Sequence, residues 1–88
     1  MYRVRLSRRA ERGLRRVRQG DPRSYQKIVA AIRSLADEPL PAGVKKLEGF
    51  EPPAWRLPVG EYRIVYEVHQ RDVLVIVVNV APRGEVYR

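Results

Sequence analysis

The 88-residue chain has no cysteine and a single histidine, His69. The first absence excludes disulfides and thiolate metal sites, and the second excludes an all-histidine metal site within one chain. No apolar run approaches the ~20 residues of a membrane span, and the basic N-terminus lacks the apolar segment of a signal peptide. A soluble, cytoplasmic protein is therefore expected. Carboxylates are scarce: 10 Asp plus Glu stand against 18 Lys plus Arg, a net charge of +8. Glu11, Glu38, Glu48 and Glu51 show no paired spacing that suggests a metal site or a carboxylate dyad. No metal and no cofactor are expected.

What the chain has instead is arginine, 15 of the 18 cationic residues, with Lys27, Lys45 and Lys46 as the remainder. Such an excess on one small domain favours a polyanionic partner, nucleic acid first, or an acidic protein that masks the charge. Guanidinium suits bidentate phosphate contacts. A chain this short forms one domain, residues 1–88, burying only about 60–65% of its unfolded surface.

"YRVRL" (Tyr2 to Leu6) alternates as a first strand, and Ser7 caps the helix after it. Ala10, Leu14 and Val17 give that helix one apolar stripe among Arg8, Arg9, Arg12, Arg15, Arg16 and Arg18. Those arginines suit a polyanion such as ribosomal RNA, or simply face solvent. "QGDP" ends the helix at Gly20 and starts a second, with Asp21 as N-cap and Pro22 at the first helical position. Tyr25, Ile28, Val29, Ile32 and Leu35 mark its buried face, and "DEPLP" stops it. The two helices form an antiparallel hairpin.

Residues 39–54 are rich in proline and glycine and are expected to be irregular loop. "WRLPVGEYRIVYEV" (Trp55 to Val68) predicts a β-hairpin turning at Gly60-Glu61, with glycine where a type II′ turn requires it. Val73 to Val80 is apolar almost throughout, as in an interior strand covered on both faces. "APRG" breaks it before the tail "EVYR". The fold class is α+β, β-α-α-β-β-β, a helical hairpin packed on one face of a small, mostly antiparallel sheet.

That hairpin raises the question of Arg63, set in an otherwise strand-like run. The turn pairs Val59 with Tyr62, Pro58 with Arg63, Leu57 with Ile64 and Arg56 with Val65. Trp55, Leu57 and Val59 then share the helix-facing side with Tyr62, Ile64 and Tyr66. Arg56 and Arg63 fall on the opposite, wet face as diagonal neighbours about 7–8 Å apart. Pro58 fits an outer strand. The pattern alone allows either solvated arginines or an anion-binding face. His69, in the turn after the strand and far from the hairpin's turn, reads as a surface residue.

The order and spacing of "VKKLEG" (44–49), "WRLPVGEYRIVYEV" (55–68) and "RGEVYR" (83–88) resemble the RelE/ParE superfamily of toxins from toxin–antitoxin pairs. The resemblance covers essentially the whole chain. It implies a cognate antitoxin and, on the RelE branch, a metal-independent endoribonuclease that cuts messenger RNA on the ribosome. On the ParE branch it implies a poison of DNA gyrase. Carried over by position, it marks Arg56, Arg63, Arg83 and Tyr87 as catalytic, with Lys45 and Lys46 as RNA-binding residues. The presence of all four catalytic positions favours the ribonuclease branch. Two departures stand out. Pro58 replaces a second basic residue of some ribosome-dependent members, and Ala81-Pro82 stands where relatives often have glycine and a basic or histidine residue. On this reading Arg63 and Arg83 neutralise the phosphorane, Arg56 holds phosphate or the leaving oxygen, and Tyr87 moves a proton. The plainer alternative for Tyr87 is an aromatic that packs the tail onto the sheet.

Overall fold

A computed structural model describes residues 1–84. Tyr87 and the rest of the "EVYR" tail lie outside the described residues. The order is β1 (Arg3–Leu6), α1 (Arg8–Gly20), α2 (Pro22–Ser34), β2 (Lys45–Leu47), β3 (Ala54–Val59), β4 (Tyr62–His69) and β5 (Leu74–Pro82). All five strands form one sheet in the order β1-β5-β4-β3-β2. Only the β1–β5 pair is parallel. The helical hairpin covers one face of this sheet, as its apolar stripe requires.

Both helix starts follow from their caps. The Ser7 hydroxyl accepts from the Ala10 N–H at 3.1 Å, and the Asp21 carboxylate accepts from the Ser24 N–H at 3.2 Å and its hydroxyl at 2.7 Å. The contacts with Ser24 hold the Asp21 carboxyl below the usual carboxylate range. Ala10, Val17, Ile28 and Ile32 face inward and meet Leu57, Ile64, Tyr66, Val75, Val77 and Val80 from the sheet. Tyr66 is fully buried, and its hydroxyl donates to the Pro39 carbonyl at 2.7 Å, tying down the segment that follows α2. Burial pushes that phenol up to about 12.

Ser7 does a second job. Val65 pairs with Asn79 and Tyr66 with Val77, so Val78 is an extra residue on β5, a β-bulge. The Ser7 hydroxyl donates to the Val78 carbonyl at 2.9 Å, and its N–H donates to Val77 at 2.9 Å. The bulge explains how Val77 and Val80, three residues apart, both face the helices. Ser7→Ala removes the cap of α1 and leaves the Val78 carbonyl without its hydroxyl donor. It is expected to lower stability by about 1–2 kcal/mol in a denaturant titration.

Four expectations from sequence need correction. Residues 39–54 are not all loop, because Lys45–Leu47 forms β2, whose Lys45, Lys46 and Leu47 pair with Arg56, Trp55 and Ala54. Strand β3 is therefore interior, and Pro58 is tolerated because it lies beyond the last paired residue of β2. Strand β5 begins at Leu74 rather than Val73, which sits in the preceding turn with φ of 50°. His69 is the last residue of β4, its Nε2 at 2.8 Å from the Glu67 carboxylate.

Candidate functional site

The β3–β4 hairpin adopts the register read from its turn. Val59 faces Tyr62, Pro58 faces Arg63, Leu57 faces Ile64 and Arg56 faces Val65. Gly60 has φ of +57°, the positive value that the first central position of a II′ turn demands. Alternation along β3 and β4 then sends Leu57 and Ile64 to the helices, and Arg56 and Arg63 to the other face. The third guanidinium arrives from far along the chain. β5 carries the backbone past the hairpin turn, where the Arg83 N–H donates to the Glu61 carbonyl at 2.9 Å. Its Nη1 makes a long 3.5 Å contact with the Gly60 carbonyl.

Strand β2 completes the site. Lys45 stands directly across from Arg56, whereas Lys46 pairs with Trp55 and so takes the opposite face. An open pocket of about 190 Å³ results, lined by Gly43, Lys45, Arg56, Pro58, Arg63 and Arg83. The structure thus unites Lys45, Arg56, Arg63 and Arg83. It does not bring Lys46 to them; Lys46 lines a different hollow, with Trp55, His69 and Arg71. The arginines of α1 lie across the sheet from the pocket, and Arg18 stacks over the Tyr25 ring at 5.8 Å. Sequence reasoning missed Gly43, and it placed Pro58 beside the arginines without seeing that it would form part of their pocket.

Arg63 is not a wet-face residue. It is only 8% exposed, the one buried cation among the described residues. Its strand is flanked on both sides, by Pro58 across β3 and Ala81 across β5. Held between these neighbours, Arg63 is nonetheless among the residues that line the pocket. Burial fixes the group's position, as a preorganised charge requires.

Four of the six described lining residues are cationic and none is acidic. Like charges about 7–8 Å apart, the spacing of diagonal sheet neighbours, repel by roughly 2 kcal/mol at an effective dielectric constant of about 20. An anion entering the pocket relieves that repulsion. The volume falls below the ~300 Å³ at which pockets begin to enclose drug-sized ligands. It therefore suits one charged group of a larger molecule, such as a phosphodiester. Among the described residues no three His, Asp or Glu side chains converge as metal ligands, and no helix is long and apolar enough to cross a membrane.

Comparison with known proteins agrees with this architecture. The fold matches the archaeal RelE–RelB complex from Pyrococcus horikoshii OT3 with a TM-score of 0.78 and 29% identity, covering 97% of this chain and 98% of that one. The RelBE2 toxin–antitoxin complex of Mycobacterium tuberculosis matches with a TM-score of 0.77 and 27% identity over 93% of this chain and 98% of the other. The isolated RelE toxin of E. coli shares the fold alone, at a TM-score of 0.77 and 22% identity over 98% of this chain and 88% of that one. No curated protein matches the chain. The family model described as the ParE toxin of type II toxin–antitoxin systems, parDE, matches residues 4–87. The chain belongs to that toxin family, within the RelE/ParE superfamily.

Proposed function

We propose that this toxin is a ribosome-associated endoribonuclease that cuts messenger RNA by 2′-hydroxyl attack, leaving a 2′,3′-cyclic phosphate. The observation that carries the reading is the convergence of Lys45, Arg56, Arg63 and Arg83 on one pocket with no acid among its described lining residues. The reaction asks for alignment of the attacking oxygen, neutralisation of the phosphorane oxygens, and movement of two protons. Arg63, fixed by burial, and Arg83, held beside the hairpin turn, supply the fixed positive charge. Arg56 faces the leaving oxygen or the adjacent phosphate. Tyr87 is the proton donor to the leaving oxygen, four residues beyond Arg83 in the chain.

A second reading is favoured by the ParE description of the matching family model. On that reading the basic surface binds DNA gyrase and no RNA is cut. Purified toxin added to translating ribosomes separates the two. The ribonuclease reading predicts message fragments ending in cyclic phosphate. The gyrase reading predicts whole messages and cleaved DNA in a gyrase assay.

The partner is a cognate antitoxin, as in the complexes of similar fold. Acidic residues on an amphipathic segment would meet the arginines of this +8 chain and cover or distort the pocket. Toxin bound to its antitoxin should leave RNA intact. If the complex cuts as fast as free toxin, the pocket is not what the antitoxin controls.

The two adjacent lysines give a sharper test of place. Lys45→Ala is expected to weaken RNA binding and lower the slope of log affinity against log salt by about one. Lys46→Ala, on the other face, is expected to change both much less. Equal effects would show that RNA does not distinguish the two faces of β2.

A further inference from the structure

Cleavage by 2′-hydroxyl attack needs a group that takes the hydroxyl proton. Three of the pocket's four cations cannot be that group, because a guanidinium does not give up its proton in proteins. Gly43 and Pro58 offer no titratable atom. Among the described residues that line the pocket, only Lys45 has a side-chain nitrogen able to exchange a proton. The β2–β3 register sets it directly across from Arg56, whose diagonal neighbour on β4 is Arg63.

We propose that Lys45 is the general base of the cleavage step. The proposal rests on the ribonuclease reading above. It gives Lys45 a chemical task beside its electrostatic contact with the RNA backbone. The placement follows from strand geometry. Pro58 leaves β3 without a proton carrier beside Arg56. The neighbouring strand β2 presents one instead, on a flexible four-carbon stem long enough to follow the substrate hydroxyl. The charged groups facing Lys45 are Arg56 from β3, Arg63 from β4 and Arg83 from beyond β5.

In the step, the Lys45 amine takes the 2′-hydroxyl proton and becomes an ammonium. The 2′-oxygen bonds to phosphorus, the bond from phosphorus to the 5′-oxygen breaks, and that oxygen takes a proton from the Tyr87 hydroxyl. Water then returns both groups to their starting states. Atoms and charge balance without any further reagent.

The absence of cysteine makes the test selective. Lys45→Arg keeps the charge and length but removes the exchangeable amine. Lys45→Cys places a unique thiol that 2-bromoethylamine converts to a lysine analogue, a treatment for which the parent chain has no thiol target. Single-turnover cleavage on ribosomes, RNA affinity and the rate's dependence on pH are measured for each. The parent should cut faster as pH rises, and Lys45→Arg should bind RNA within about threefold of the parent. Its cleavage should be at least ~100-fold slower, within the range of lost general base catalysis, and should lack the parent's rising limb. Lys45→Cys should be as slow and should recover on aminoethylation. Lys45→Arg cutting within threefold of the parent overturns the assignment and leaves the ribonuclease reading standing. So does failure of the fully aminoethylated Cys variant to recover. A parent chain that never cuts RNA overturns both.

Discussion

Arg63→Met is expected to abolish toxicity while leaving the protein folded. One fixed cation on a developing phosphorane contributes about 3–4 kcal/mol of transition-state stabilisation, so cleavage should fall by roughly 10²–10³. The choice of methionine follows from Arg63 being 8% exposed. Alanine would leave a void between Pro58 and Ala81 and mix a folding defect with the catalytic one. Methionine fills the volume of the arginine stem and removes the guanidinium charge. Its unfolding free energy should stay within about 1.5 kcal/mol of the parent, since the space between Pro58 and Ala81 stays filled. Full toxicity in Arg63→Met would move the reactive centre elsewhere. Loss of toxicity together with loss of the folded state would assign Arg63 a structural part.

Gly13→Ala should have the largest effect on stability. A Cβ added at Gly13 would clash with the Val80 carbonyl oxygen and lie 3.2 Å from its carbon. Both obstacles are backbone, so relief requires α1 to lift or β5 to move. The gain in helix propensity, about 1 kcal/mol, does not offset a clash of that kind, and a net loss of roughly 2–4 kcal/mol is expected. For a domain of this size that lowers the melting temperature by roughly 10–20 °C. Gly20→Ala is the control, because nothing lies within 4 Å of its added methyl. Its melting temperature should hold or rise by up to about 5 °C, from the same gain in helix propensity. Toxicity should fall with Gly13→Ala as well, since β5 sets where Arg83 meets the hairpin. If both alanine variants melt alike, the close approach of α1 to β5 is not a feature of the folded protein.

The hairpin register was legible in sequence because one glycine fixed it. Once Gly60-Glu61 formed the turn, every pair from Val59–Tyr62 to Arg56–Val65 followed, and so did the shared face of Arg56 and Arg63. The helices were legible from local chemistry, Ser7 and Asp21 as caps and apolar residues at helical spacing. Strand β2 was hidden because three residues, Lys45 to Leu47, carry no alternation long enough to read, and the strand exists only through pairing with β3. The division of Lys45 from Lys46 was hidden with it. Alternation showed which face Arg63 takes but not its depth, which depends on flanking strands at both sides. The bulge at Val78 left no trace in a run apolar at nearly every position. Arg83 meets the Glu61 carbonyl through a contact 22 residues apart in sequence, for which no local pattern exists.

The central claim is that this toxin stops growth by cutting messages. Mapping RNA ends across the transcriptome after inducing the chain without its antitoxin tests it most directly. New ends should appear inside translated regions, at fixed positions within codons, and should be absent from untranslated regions and from cells expressing Arg63→Met. Growth arrest with intact messages, accompanied by DNA breaks and the SOS response, would contradict the claim and assign the toxin to gyrase.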